Sequence, residues 1–146
     1  MIATRFRVRL AVLDDVAAMH RVRCAVRENR LSDRGLITES SYRRYVAAGS
    51  IWVAVDDAGV VFGFAAIDAE TASVWALFVD PAAEGAGIGR ALHAAMLDWA
   101  RGQGIGALRL ETAPGTRAER FYRRAGWTKS EPSTPTAIWF ERNLAD

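Results

Sequence analysis

At 146 residues the chain has room for one domain with one core; 51% of it is hydrophobic, 25% is charged, and the formal charge is +2. Those values are too apolar for a disordered chain, and with domain sizes clustering near ~100–150 residues they put a multi-domain reading at a disadvantage, so the expectation is a single domain over 1–146. The basic residues are scattered arginines with Lys129 the one lysine, without the clustered stripe that marks a nucleic-acid surface.

Phe6, Val8 and Leu10 alternate with Arg5, Arg7 and Arg9, a period-two pattern that predicts a first strand with one face in the core. Asp14 and Asp15 follow as caps of a helix running to about Arg27 on Val16, Met19, Val22 and Val26. Within it lies Cys24, the single cysteine, which forbids an internal disulfide, suggests a reducing, cytoplasmic home, and reads as a small buried hydrophobe. His20 and His93 sit in helical patterns without partners at ligand spacing, so no metal is expected. Apolar runs stay well short of the ~18 residues a membrane span needs. A polar link, "ENRLSDRGLI", leads to a second helix opening at Thr38, carrying Tyr42, Tyr45 and Val46 on its apolar face, and stopped by Gly49.

Three apolar runs come next, Ile51 to Val55, Val60 to Ile67 and Val74 to Val79, joined by short turn-rich links that predict antiparallel hairpins. After Asp80-Pro81 the period changes. Ile88, Leu92, Ala95, Met96 and Trp99 recur at helical spacing up to "RGQGIG", and "ALRLE" is again a strand. Thr116-Arg117-Ala118-Glu119 is a capping box: the threonine reaches the amide three residues on and the glutamate reaches back. The helix it opens puts Ala118, Phe121, Tyr122 and Ala125 on one face and ends at Gly126, followed by a Pro132/Pro135 loop and a last strand, "TAIWFERNL". The fold class is therefore α+β, a mixed, mostly antiparallel sheet. Val74 to Glu111 is its strand-helix-strand crossover, whose two strands must run parallel.

The first turn of that crossover is "EGAGIGR", Glu84 to Arg90. Glycines ahead of a helix let backbone amides approach an anion, because the first amides of a helix lack partners and the dipole favours negative charge. A dinucleotide fingerprint would need G-x-G-x-x-G directly after the strand. Here the order is G-x-G-x-G, Arg90 stands in the third glycine's place, and five residues separate Val79 from Gly85.

"VWALFVDPAAEGAGIGRAL" instead resembles the central motif of the GCN5-related N-acetyltransferases (GNAT family), and "AERFYRRAGW", Ala118 to Trp127, is similar to that family's A-x-x-F-Y-x-x-x-G-[F/W] segment. Two motifs in order, about 30 residues apart, carry the resemblance, and the remaining elements fit the family's order. It implies a GNAT-like fold of about seven strands flanked by about four helices, and direct transfer of an acetyl group from acetyl-CoA to a primary amine. The acceptor would be a small molecule or a peptide or protein amine. No nucleic acid, membrane or metal is implied, and a homodimer is compatible with it. The alternative is a non-catalytic acyl-CoA-binding module of the same fold.

By resemblance, the cosubstrate would be held by Leu77, Phe78 and Val79 on the strand, by Glu84, Gly85, Ala86, Gly87, Ile88, Gly89 and Arg90 in the loop, and by Ala118, Phe121 and Tyr122 on the later helix. A backbone amide near Leu77 to Val79 would polarise the thioester carbonyl. Tyr122 matches the family's general acid and thiolate stabiliser. A phenol near pKa ~10 is a weaker acid than a thiol near ~8.5, so full proton donation is uphill by roughly 2 kcal/mol. Tyr122 is thus expected to hydrogen-bond the developing thiolate while its proton follows the one lost by the amine. Glu84 departs from the family's Gln or Arg and sets an anion beside a diphosphate, with Arg90 the compensating cation. Ser73 stands where many relatives carry a catalytic glutamate and Gly115 where an Asn is common, leaving Glu111, Glu70, Glu28 and Asp33 as candidate bases, with Glu111 or Glu70 foremost. With no obvious base, an α-amine near pKa ~8 is an easier acceptor than a lysine-type amine near ~10.4. Residues 28 to 42 and the late strands would form the acceptor pocket, with Trp52, Trp75, Trp127 and Trp139 as possible lining.

Overall fold

The computed structural model describes residues 5–26 and 37–144. Seven strands form one sheet: β1 (Arg7–Leu10), β2 (Ile51–Val55), β3 (Val61–Asp68), β4 (Ser73–Val79), β5 (Ala107–Thr112), β6 (Thr128–Thr134) and β7 (Ala137–Asn143). Their order is β1-β2-β3-β4-β5-β7-β6, antiparallel throughout except where β4 meets β5. Among the described residues four α-helices cover it: α1 (Val16–Ala25), α2 (Arg43–Ala48), α3 (Ile88–Gly102) and α4 (Arg117–Arg124).

β2 and most of β3 are buried on both faces, which is why they read as continuous apolar runs and not as alternation. On one face Trp52, Ala54, Ala65 and Ile67 meet Ile88, Leu92 and Met96 of α3 and Tyr122 of α4. On the other, Ile51, Val53, Phe64 and Ala66 meet Met19 and Val22 of α1 and Tyr42 and Tyr45 around α2. Phe6 and Val8 pack on the α3 side as their alternation predicts. Leu10, read as their core partner, lies at the end of an edge strand and is half exposed.

Asp15 stands at the N-cap position of α1, but its side chain makes no cap bond to that helix. Its carboxylate accepts from the Val12 amide at 2.8 Å and from both terminal nitrogens of Arg9 at 2.8 and 3.1 Å, tying the turn before α1 to β1. Burial alone would raise this acid, but those hydrogen bonds outweigh it and hold its carboxyl below the usual range. Helix α1 ends at Ala25 with Val26 extended, short of the expected Arg27. Thr38 precedes a 3-10 turn (Glu39–Tyr42) before α2, and Gly49 ends α2 in the left-handed region at φ +69. Glu28 and Asp33 lie outside the described residues.

The Pro132 segment, expected as a loop, is strand β6. It occupies the sheet edge, where a missing amide costs no ladder bond and neither face must be apolar, so it gave no alternation signal. Its register with β7 slips between Ser130 and Thr134.

Gly63 is a requirement that the sequence did not announce. A Cβ there would stand 2.8 Å from the Phe78 carbonyl oxygen and 3.1 Å from both Ile88 and Leu92. The Ile88 and Leu92 atoms are side-chain methyls that can give a little, but the Phe78 oxygen is backbone held in the β3–β4 ladder and cannot, so Gly63→Ala should cost about 2 kcal/mol. A denaturant midpoint shifted down at constant m-value will register it, whereas an unchanged midpoint would mean that α3 moves aside freely.

Candidate active site

Strands β4 and β5 touch at one end only. Ser73 stands opposite Arg109, whose amide donates to the Ala72 carbonyl at 3.0 Å, and no pairing continues beyond. β4 runs on to Val79 and β5 to Thr112, so their C-terminal halves border an unladdered gap. The Asp80 amide donates to Phe62 at 2.7 Å on the β3 side. Strand alternation then turns the Leu77 and Val79 amides the other way, toward the gap, while Phe78 shares the β3-facing set.

The loop from β4 to α3 lies at the mouth of that gap. Asp80 accepts from the Ala82 amide at 3.0 Å and Pro81 opens a 3-10 turn. Gly85 and Gly87 follow at φ +87 and +84, and Gly87 is the residue before the first turn of α3. The first backbone bond of α3 runs from the Ala91 amide to the Gly87 carbonyl at 3.1 Å. Among the described residues the amides of Gly85, Ala86, Gly87, Ile88, Gly89 and Arg90 have no backbone acceptor, a run of donors with positive helix-dipole charge behind it. Among the described residues, chain neighbours aside, no atom lies within 4 Å of where a Cβ on Gly85 or Gly87 would be, so left-handed backbone, not crowding, calls for glycine there. Gly89 is helical, and its Cβ would meet only ordinary contacts, 3.6 Å to Val79 and 3.7 Å to Phe121.

Helix α4 begins beside the loop. The Thr116 hydroxyl accepts from the Glu119 amide at 3.2 Å, as the capping box requires, but the glutamate reaches one residue further back than expected, to the Gly115 amide at 2.7 Å. Gly115 itself is left-handed at φ +78. That Gly115 amide and then Arg123 hold the Glu119 carboxyl below the usual range. Glu84 pairs with Arg117 at the start of α4, Oε2 to Nε at 3.2 Å. Arg90 is exposed.

Phe121 and Ala118 pack as partly buried neighbours of the core, and Tyr122 is 6% exposed. The Tyr122 ring lies among Phe121, Trp127 and Phe140 at centroid distances of 5.3, 5.5 and 6.3 Å. No described residue hydrogen-bonds its hydroxyl, and burial pushes the phenol well above its ordinary pKa. The phenol therefore keeps its proton at neutral pH.

His93 is a site feature that the sequence placed only as one residue of an amphipathic helix. It is buried beside Phe121, and its Nε2 accepts from Trp127 Nε1 at 2.9 Å. The ring is therefore neutral with its proton on Nδ1. Burial first, then Arg142 and Arg101, lower its pKa to about 4. The unfolded chain takes up this proton near pH 6.5 and the folded chain only near 4, so stability is whole above pH 6.5 and falls as pH drops through that window. The expected loss is about 2 kcal/mol. Unfolding titrations at pH 7 and pH 4.5 measure it, and His93→Phe should flatten the slope.

Of the carboxylates, Glu111 is level with Trp75, because the register Ser73 opposite Arg109 places it two residues along each strand, and it is paired across β5 and β7 with Trp139. Leu108 and Leu110 face α3, so alternation puts Glu111 on the opposite face, which Trp75 and Trp139 also share. Trp75 stacks on Tyr45 at 4.5 Å and under the Arg23 guanidinium at 4.7 Å, and Trp139 lies under Arg109 at 4.5 Å. Trp52 and Trp127 are core residues on the α3 side. Glu70 lies in the β3–β4 turn at the closed end of the pair, roughly 20 Å along β4 from Val79 by strand rise. Ser73 bonds Thr71 there, Oγ to Oγ1 at 2.6 Å. Cys24, expected buried, is exposed, with its sulfur 3.7 Å from His20 Nε2. Among the described residues no cluster of His, Cys, Asp and Glu could hold a metal, and no helix is long and apolar enough to cross a membrane.

The fold is shared with solved structures. Ard1 from Thermoplasma volcanium superposes with TM-score 0.77 at 22% identity, over 98% of this chain and 100% of that one. The ribosomal-protein-S18-alanine N-acetyltransferase from Escherichia coli gives 0.76 at 17%, over 97% and 96%. The yncA structure from Salmonella typhimurium, solved with its cofactor acetyl-CoA, gives 0.76 at 19%, over 98% and 96%. No curated protein matches the chain in sequence. Residues 47–129, more than half the chain and the span that holds both the glycine loop and Tyr122, match the family model described as acetyltransferase (GNAT) domain. On that match the chain belongs to the GNAT acetyltransferase family.

Proposed function

We propose that the protein transfers an acetyl group directly from acetyl-CoA to a primary amine, with both substrates bound in one domain formed by residues 1–146. The observation that carries this is the run of amides from Gly85 to Arg90 that have no backbone acceptor among the described residues, opened by two left-handed glycines at the mouth of the β4–β5 gap. Such a cradle fits a diphosphate without side chains in the way. A similar fold in yncA holds acetyl-CoA as its cofactor, which supports the same ligand here.

The thioester supplies the acyl group, and the chain's own groups do the rest. Leu77 and Val79 amides face the gap where the pantetheine arm would thread, and one of them would polarise the thioester carbonyl. The Tyr122 hydroxyl, which no described residue hydrogen-bonds, would donate to sulfur as charge develops there. Glu111 is the base this geometry favours over Glu70, since it borders the gap, whereas Glu70 lies at its closed end. With Trp75 and Trp139 on its face it would receive an amine from the side opposite α3, directly or through water. The S18-alanine enzyme acts on an α-amine by name, in keeping with an acceptor of low pKa.

Release of free thiol from acetyl-CoA with a panel of α-amines, polyamines and peptides tests the reading. Turnover with an α-amine is the expected result. Acetyl-CoA binding without turnover on any amine would favour the non-catalytic module, and absence of binding would end both.

A further inference from the structure

The Glu84–Arg117 pair spans the entrance between the glycine loop and the first residue of α4. Both side chains are substantially exposed, at 64% for Arg117 and 33% for Glu84, so the pair adds almost nothing to stability. Its effect is positional. Glu84 engages the Arg117 Nε at 3.2 Å and adjoins Gly85, the first amide of the anion cradle, so the pair keeps the guanidinium beside that loop. Left alone, Glu84 would repel any phosphate arriving there; paired, it brings a planar multidentate donor to the same place. Arg120 and Arg124 continue the positive charge along α4 at positions i+3 and i+7 from Arg117, both exposed.

We infer that Arg117 is a phosphate-binding residue of the acetyl-CoA site and that Glu84 is its positioning partner, so that an acidic residue in the cradle serves anion binding through the arginine it orients. This rests on the proposed acetyl-CoA reading. Positive charge at the rim is thereby supplied from α4 in addition to Arg90 of the loop.

Reversing the charges tests it. Binding of acetyl-CoA and of acetyl-pantetheine, which has no diphosphate, is measured by calorimetry on the full chain. Arg117→Glu should weaken acetyl-CoA about 10- to 100-fold, the scale of one charge-assisted contact turned into repulsion, with acetyl-pantetheine unchanged. The double variant Glu84→Arg/Arg117→Glu should recover most of the loss, because the same pair is rebuilt with its cation in the loop. Acetyl-dephospho-CoA assigns the phosphate: a penalty that persists on it places Arg117 on the diphosphate, and one that disappears places it on the 3′-phosphate, either result supporting the inference. A double variant no better than Arg117→Glu would overturn it, as would an equal loss on acetyl-pantetheine, with thermal melts showing that each variant is folded. If the unaltered protein binds no acetyl-CoA, the functional reading itself fails, a result distinct from either.

Discussion

Tyr122→Phe should lower kcat about 100-fold, ~2.7 kcal/mol of transition-state stabilisation, while leaving the acetyl-CoA dissociation constant unchanged. The direction follows from how Tyr122 is buried. Its ring is fixed among Phe121, Trp127 and Phe140, which phenylalanine would fill equally well, and its hydroxyl has no partner among the described residues. Deleting such a group is close to neutral for folding, because no hydrogen bond is lost and no other group is orphaned. The melting temperature should therefore hold while the chemical step slows. With its pKa raised by burial, the phenol is a poor acid, so its contribution is a hydrogen bond made when charge reaches sulfur, an interaction of the transition state more than of the ground state. Pre-steady-state thiol release separates this from a change in product release. A rate within two-fold of the parent would remove Tyr122 from the reaction.

Gly87→Val should raise the dissociation constant for acetyl-CoA about 30-fold, and Gly89→Ala should change it by less than about three-fold. The two positions lie two residues apart in one loop, yet the backbone treats them differently. Gly87 sits at φ +84 with no protein atom near its missing Cβ, so a β-branched residue meets strain and no clash. Relief of that strain must rotate the neighbouring peptides, and those peptides carry the amides of the cradle. Gly89 is helical and its Cβ would make ordinary contacts with Val79 and Phe121; alanine there also gains up to about 1 kcal/mol of helix propensity. Equal affinity for both variants would mean that the backbone amides are not what holds the ligand.

Much of the fold could be read along the chain because local patterns coincided with local structure. Period-two alternation, the Gly49 and Gly126 terminators at φ +69 and +93, and the Thr116 cap all rest on contacts within a few residues. β2, between Ile51 and Val55, matched its apolar run residue for residue. β6 was missed for the same reason in reverse: an exposed edge strand has no apolar face to announce it. Cys24 was misplaced because helical periodicity indicates which residues neighbour one another and not how far the protein covers them.

The sequence by itself determined the α+β class, the single crossover and the loop glycines, since each depends on residue types at fixed short spacings. Only the tertiary structure decided which groups meet. Glu84 found Arg117, 33 positions away, and not Arg90 in its own loop. His93 met Trp127 from another element, and Gly63 was fixed by a carbonyl on the neighbouring strand. Glu111 and Glu70 were equal candidates as letters, and the register of Ser73 against Arg109 set one beside the open gap and the other at its closed end. Pairings across the sheet depend on strand order and register, and these are settled by burying both faces at once, a property of the whole chain and of no single segment.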